Sequence, residues 1–243
     1  MRDVETFTEI YYKELRRTPT GNNPVIRRFM ERWSAEEAEH GELLNRFLAE
    51  AGFPVGTNWQ AAAKAAIPVR YTVENYLAGM LTNCFGRYFS GTHMVWGAIN
   101  ELTTLQGYRR LWQLAAHPVL EYLLRAIARE ESAHANFYWH IARLHLERST
   151  YARRLARFTI SNFWTPVGQG AKPQHETNRL IRTLFEGRPG VSFFERTVSR
   201  RIKQLPGLDG LNTISETIAG IALDEEAPEH ILAGNWMNAP SGG

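Results

Sequence analysis

The pattern Glu-Glu-x-x-His occurs twice in the 243-residue chain, at residues 36–40 and 130–134. On an α-helix, side chains three residues apart lie on the same face. Glu37 with His40, and Glu131 with His134, can therefore each direct two metal ligands toward one point. If the two helices face each other, both pairs can reach a shared site. The repetition thus predicts a metal centre between two helices.

Both pairs interrupt apolar stripes whose residues recur at spacings of three and four, which is typical of the buried face of a packed helix. The stripes contain Met30, Trp33, Leu44 and Phe47 around the first pair, and Leu124, Ile127, Tyr138 and Ile141 around the second. A carboxylate left unpaired in such a stripe would be costly, because burial strips away the water that stabilises its charge. A shared cation would supply the missing partner.

Each pair also has a glutamate about thirty residues upstream. Glu101 precedes Glu131 by 30 residues, and Glu5 precedes Glu37 by 32, with Glu9 as the alternative to Glu5. Four carboxylates and two imidazoles from four helices form the dinuclear ligand set of ferritin-like bundles. These ligands suit iron, with manganese as the alternative, and are unlike the Cys and His ligands of structural zinc.

The alternative to a metal site is that these Glu and His residues have a purely structural role. A single Glu-x-x-His on a helix is usually a surface pair or a satisfied hydrogen bond in the core. Two copies, both in apolar stripes and both with an upstream glutamate, favour the metal site. We expect Glu36 and Glu39 to be solvated, whereas Glu130 could be a hydrogen-bond partner of a ligand.

The composition limits which classes of protein this chain can belong to. With 44% hydrophobic residues the chain can bury a substantial core. We therefore predict one domain over residues 1–223, with a metal-binding core at about 3–147 and a disordered tail at 224–243. Cys84 is the only cysteine, and the amino-terminal residues lack the apolar segment of a signal peptide. No apolar run reaches the length of a membrane span, so we expect a soluble, cytoplasmic protein.

The chain is mildly basic, with a net charge of +3 carried mainly by arginine. Two clusters stand out: Arg16, Arg17, Arg27 and Arg28, and then Arg153, Arg154 and Arg157. Neither resembles a nucleic-acid-binding module. Each cluster is either a solvated face or a docking patch for an acidic protein.

The helical pattern predicts an all-α fold, since no sustained alternation typical of β-strands occurs. The four helices that would carry ligands are predicted at 3–16, 24–50, about 72–116 and 118–147, with a break in the third near Gly86 and Gly91. A loop with a short helix over its alanines is expected at 53–70. Additional helices are expected at 150–163, 175–186, 192–204 and 211–221.

The segment from Trp33 to Leu44, containing Ser-Ala-Glu-Glu-Ala-Glu-His-Gly, resembles the first metal motif of the soluble acyl-[acyl-carrier-protein] desaturases. The Glu101-x-x-Thr104 step and the segment 129–134 resemble the family's third and fourth metal helices. The similarity covers residues 4–145 and is nearest to the short bacterial members. It implies a ferritin-like diiron bundle with additional C-terminal helices. It also implies an enzyme that uses dioxygen and two electrons to remove two hydrogens from an acyl chain.

The resemblance also implies roles for individual residues. Glu37 and Glu131 would bridge the irons, Glu5 and His40 would complete one iron, and Glu101 and His134 the other. Thr104 would lie beside the oxygen-binding face, and Trp33 and Glu130 would orient His40. The chain departs from the family at Tyr108, where a histidine is usual.

The implied partners are an acidic acyl carrier protein, an electron donor such as ferredoxin, and a second copy of the chain in a homodimer. The acyl chain would occupy an apolar channel beside the metals, lined in part by residues 72–100. Three alternatives remain: a diiron oxygenase of a small molecule or unusual acyl chain, a non-catalytic ferritin-like metal-binding protein, and a helical module that never holds metal. A channel matched to an acyl chain would favour the desaturase, and a short polar pocket would favour the small molecule.

Overall fold

The computed structural model describes residues 1–224, without the side chains of residues 74, 75 and 77–81. Within this range the fold is all-α, as predicted, and β-structure is limited to an isolated bridge between Gln169 and Lys172. Apart from residue 224, the predicted tail lies outside the described residues. None of the described helices combines the length and apolarity needed to cross a membrane.

The first six helices contain all the predicted ligands. They are α1 (Arg2–Leu15), α2 (Pro24–Glu50), α3 (Trp59–Ala65), α4 (Val69–Cys84), α5 (Ser90–Leu114) and α6 (Pro118–Arg148). Local chemistry sets where the long helices begin. The Asn23 side chain accepts hydrogen bonds from two amides of the first turn of α2, and Pro24 follows it. His117 and Pro118 begin α6 in the same way.

The predicted interruption of the third helical region occurs at Gly86 alone. Gly86 has a φ of +54°, a left-handed conformation that favours glycine, and a 3₁₀ turn at Gly86–Phe89 follows it. Gly91, which was also expected to weaken the helix, lies inside the first turn of α5. A Cβ atom there would come within 3.2 Å of Leu146 Cδ2, so this glycine serves close packing between helices.

The remaining helices cover one side of the bundle. They are α7 (Thr150–Phe163), α8 (Gln174–Leu184), α9 (Gly187–Phe194), α10 (Arg200–Lys203) and α11 (Thr213–Ala222). A π-helical turn at Glu195–Ser199 joins α9 to α10, so the helix predicted from 192 begins five residues earlier. Buried residues of α5, α6 and these C-terminal helices form one continuous apolar core.

Helices α5 and α6 pack against each other along most of their length. Gly97 makes this approach possible, because a Cβ atom there would overlap the ring of Tyr138 at 2.2 Å. Tyr138 itself is fully buried. The close pairing holds the α5 and α6 ligands at a fixed separation, while α1 and α2 pack on each other to form the other half of the bundle.

Candidate metal centre

All six predicted ligands lie in one buried cluster between α1, α2, α5 and α6. None of them is more than 7% exposed. They are Glu5 from α1, Glu37 and His40 from α2, Glu101 from α5, and Glu131 and His134 from α6. The long-range packing of four helices therefore brings together residues that are up to 129 positions apart in the chain.

One part of the cluster surrounds the Nδ1 atom of His134. This atom lies 3.1 Å from Glu37 Oε1, 3.6 Å from Glu101 Oε2 and 3.7 Å from Glu131 Oε2. One ligand atom from each of these four residues lies within 4.8 Å of all the others. Ligands bound at about 2.1 Å and at about 90–110° to each other stand about 3.0–3.4 Å apart, so this spacing suits a shared cation.

The second part is built on His40 and shares both central glutamates with the first. His40 Nδ1 lies 3.3 Å from Glu131 Oε1 and 3.8 Å from Glu37 Oε2. Glu5 packs beside Gly41, the residue after His40, and its carboxyl approaches Glu37. Because Glu37 and Glu131 face both histidines, these two carboxylates join the two parts of the cluster.

Buried atoms without a hydrogen-bond partner are concentrated at this centre. Six such atoms belong to the ligand residues: Glu37 Oε1, His40 Nδ1, Glu101 Oε2, both carboxylate oxygens of Glu131, and His134 Nδ1. Leaving buried polar atoms unsatisfied is costly, and natural folds rarely concentrate them without a reason. Hard oxygen donors with one imidazole for each position suit a pair of iron or manganese ions, so the residues fit the predicted metal pair.

The first glutamate of each repeated motif contacts the histidine of the other motif. Glu130 Oε2 lies 2.7 Å from His40 Nε2, and Glu36 Oε2 lies 2.8 Å from His134 Nε2. Each contact fixes the tautomer and leaves Nδ1 directed at the centre. The expectation that Glu36 is solvated was wrong, because its side chain is only 19% exposed. The sequence held the signal: Glu36 and Glu130 occupy the same position in the repeat.

Trp33 does not lie beside His40, where it was expected. Its indole Nε1–H donates to Glu101 Oε1 at 3.2 Å, so it orients a carboxylate of α5 instead. The physical reason is distance along the helix. Trp33 precedes His40 by seven residues, which is about 10 Å at about 1.5 Å per residue. An indole two turns away cannot reach the imidazole, although both face the core.

Glu5, not Glu9, joins the cluster. Glu9 is ion-paired with Lys13 and Lys64 near the surface. Glu5 is 2% exposed, and Tyr108, which is fully buried on α5, donates its hydroxyl hydrogen to Glu5 Oε1. The sequence marks Tyr108 only as a departure from the family's usual histidine, and no local pattern predicts its contact with Glu5.

The charges of the cluster shift the pKa values of its members. Burial, followed by the charge of Glu37, raises the pKa of Glu5, and burial also raises that of Glu101. Burial opposes charge on His40 as well, but the Glu131 and Glu37 carboxylates outweigh it and raise its pKa to about 11. The pKa of His134 is also raised by its carboxylate neighbours. Without metal, protons on the imidazoles therefore supply the positive charge that the carboxylates require.

Thr104 lies one helical turn after Glu101 and lines a small cavity next to the centre. The cavity has a volume of about 40 Å³ and mostly apolar walls, contributed by α1, α5, α8 and the segment before α8. Val4, Gly107 and Leu184 are among its lining residues. This volume holds little more than one water molecule, whose share of liquid volume is about 30 Å³. The side chains of residues 74, 75 and 77–81, part of the segment expected to line a channel, lie outside those described.

A comparison with known families agrees with the geometry. The sequence model of the family described as "Fatty acid desaturase" matches residues 10–158, which include every residue of the cluster except Glu5. No curated protein and no solved structure matches the chain. Because the match spans more than half of the chain, the protein belongs to the fatty acid desaturase family.

Proposed function

We propose that the protein is a diiron, dioxygen-dependent oxidase that introduces a double bond into an acyl chain attached to an acyl carrier protein. The observation that carries the proposal is the buried six-residue cluster, with its unpartnered ligand atoms directed at a common centre. The family match supports desaturation as the reaction. Two irons in this cluster would supply dioxygen activation and the oxidising power to remove two hydrogens, with two electrons from an external donor such as ferredoxin.

The protein's own residues would hold and orient this centre. Glu37 and Glu131 face both histidines and would bridge the two ions. Glu36 and Glu130 hold the imidazoles from outside, and Trp33 holds Glu101. Burial keeps bulk water away from the reacting atoms, which protects a strong oxidant from side reactions.

Thr104 marks the side from which we expect the substrate to approach. It borders both the turn of α5 that carries Glu101 and the apolar cavity. A cavity of about 40 Å³ cannot enclose an acyl chain, so chain entry requires its walls, including Val4 and Leu184, to move apart. The apolar lining favours a hydrocarbon group over a polar one.

The two arginine clusters differ in their freedom to bind a carrier. Arg153 donates to the carbonyl oxygens of Leu146 and Glu147, and Arg157 to those of Gly207 and Asp209. These two arginines therefore stabilise the fold. In the first cluster Arg27 donates to the carbonyl oxygen of Gly21, whereas Arg28 is exposed on α2. Arg28 is our candidate for contacting an acidic carrier.

The test of the function is turnover with defined substrates. Iron-reconstituted protein, a ferredoxin reducing system and dioxygen should convert carrier-bound acyl chains to products lighter by two hydrogens, as detected by mass spectrometry. A product heavier by one oxygen would identify a hydroxylase. The Arg28→Glu variant should raise the KM for the carrier while iron content stays unchanged, with Arg154→Glu, an exposed arginine of the other cluster, as the matched control.

A second candidate is oxidation of a small molecule or an unusual acyl chain, because the cavity beside Thr104 is not matched in size to a common acyl chain. The same assay separates the two candidates. Conversion of free short-chain or compact apolar compounds, together with failure on all carrier-bound chains, would support the small-molecule oxygenase and contradict the carrier-dependent desaturase.

A further inference from the structure

Glu5 differs from the other five ligands in how its carboxylate is held. Its helix α1 packs on α2 at Gly41, where a Cβ atom would lie 3.5 Å from Glu5 Cβ, an ordinary van der Waals contact. This packing places the backbone of Glu5 near the centre. It does not orient the carboxylate, whose ligand neighbours Glu37 and Glu131 are also acidic and repel it.

The donor that the structure gives to this carboxylate is Tyr108. Tyr108 follows Glu101 by seven residues, so both project from the same face of α5 toward the cluster. Its ring is fully buried and its hydroxyl donates to Glu5 Oε1. When a cation at the centre keeps Glu5 ionised, the acceptor of this hydrogen bond carries a charge, and such bonds are among the stronger kinds in proteins.

We propose that Tyr108 is a positioning residue that fixes Glu5 and thereby completes the metal position built on His40. One oxygen of Glu5 accepts the hydrogen bond of the phenol, which would leave the other oxygen for an ion. This inference rests on the proposed dinuclear centre. It assigns to the chain's tyrosine the task of completing one of the two positions.

A matched control exists in Tyr138. It is equally buried, on α6, and its hydroxyl donates to Met30 Sδ at 3.1 Å instead of to a ligand. Tyr138→Phe therefore removes a buried phenol hydroxyl from the same core without disturbing a carboxylate of the cluster. Tyr108→Phe keeps the ring and removes only the hydroxyl, which limits its effect on folding.

The experiment is stepwise titration of the metal-free full-length chain with Mn²⁺, followed by electron paramagnetic resonance. In Tyr108→Phe we expect the binding step of the position built on His40 to lose affinity about 10- to 100-fold, the range seen when a partner of a metal ligand is removed. The step of the other position should match the wild type, and so should both steps in the Tyr138→Phe variant. In a Glu5→Ala background, Tyr108→Phe should have no further effect on affinity, since the two residues act as one unit.

Unchanged affinities in Tyr108→Phe would overturn the inference, and so would equal weakening of both steps. Equal losses in Tyr108→Phe and Tyr138→Phe would also overturn it, because the effect would then belong to the core in general. Additive losses in the Glu5→Ala background would show that Tyr108 acts elsewhere. Failure of the wild type itself to bind two ions would instead contradict the proposed dinuclear centre, so the two failures are distinguishable.

Discussion

The two halves of the proposed metal centre have the same residue types but different support. Glu101 and His134 project from α5 and α6, which pack tightly along their length. Trp33 holds Glu101, and Glu36 holds His134. In the other half, Glu5 comes from the first helix of the chain and depends on the hydroxyl of one tyrosine. Duplicating a ligand motif in sequence therefore does not duplicate the packing that fixes its geometry.

The outer partners of the histidines show the same difference. Glu36, which contacts His134, is 19% exposed, and Arg32 Nε donates to it at 2.6 Å. Glu130, which contacts His40, is 51% exposed. Solvent competes more strongly for the half-exposed carboxylate, so it orients its histidine less firmly. We therefore expect the ion beside Glu101 and His134 to bind more tightly than the ion beside Glu5 and His40.

The largest effect should come from removing what the two halves share. Glu131→Ala deletes a carboxylate that faces both histidines, and His134→Ala removes a ligand of the better-held half. We expect both variants to lose both irons and all oxidation, because the surviving ligands cannot hold a bridged pair. Inductively coupled plasma mass spectrometry of reconstituted protein measures the iron. Retention of two irons by either variant would contradict the assignment.

The next largest effect should distinguish the two halves of the centre by their metal affinities. Glu101→Ala should remove the tighter-binding step and leave the centre unable to hold a pair. Glu5→Ala should leave the tighter step within a few-fold of wild type and weaken the other step at least as much as Tyr108→Phe does, since Glu5 serves one position only. Isothermal titration calorimetry with Mn²⁺ resolves the two steps. Identical titration curves for the two variants would show that the halves are equivalent.

A smaller effect is expected from the outer partners. Glu36→Ala and Glu130→Ala should each weaken metal binding, within the range of about 10- to 100-fold typical of such contacts. The loss in Glu36→Ala should be the greater, since its carboxylate is less exposed. The same Mn²⁺ titrations measure both. Glu39→Ala, which replaces the other glutamate of the first repeat, is the control and should leave both affinities unchanged.

The smallest expected effect is on the pH dependence of the free energy of unfolding. We expect this dependence in the metal-free protein and expect bound metal to remove it. In the metal-free fold the pKa of His40 is raised to about 11 by its carboxylate neighbours, compared with about 6.5 in the unfolded chain. The stabilisation from this raised pKa is fully present below pH of about 6.5 and is lost as the pH rises toward about 11.

The free energy of unfolding of the metal-free protein should therefore fall between pH 6.5 and 8.5. A bound ion requires the neutral imidazole, so binding releases a proton and metal affinity should rise over the same interval. Urea denaturation with and without Mn²⁺ measures the first effect. A metal-free His40→Ala variant should show a weaker pH dependence than the wild type. An equal dependence in both would assign the effect to other groups.

Local sequence chemistry was enough to predict most of the fold. Helix α2 begins with Asn23, a preferred capping residue, followed by Pro24. Helix α6 likewise has a proline, Pro118, at its first position, where proline is favoured. The break at Gly86 followed from glycine's access to a left-handed conformation. Gly91 could not be distinguished from it in sequence, because its reason is the proximity of Leu146, a contact between distant segments.

The clustering of the six residues was predictable because the Glu-x-x-His spacing directs both side chains to the same face of a helix. The outer partners of these residues were not predictable in the same way, because each lies on a different helix from the side chain that it contacts. Trp33 was assigned to the wrong ligand, since a pattern along α2 does not reveal which side chain of α5 lies opposite. Glu36 could have been assigned correctly from the repeat. The contact of Tyr108 with Glu5 joins residues 103 positions apart, and no local pattern encodes it.

The most direct test of the central claim is Mössbauer spectroscopy of protein reconstituted with isotopically enriched iron and exposed to air, together with a count of iron per chain. We predict two ferric ions per chain in equal amounts, magnetically coupled through shared ligands, with distinct signals from the two unequal halves. One iron, none, or two uncoupled irons would contradict it, since bridging by Glu37 and Glu131 would then be absent.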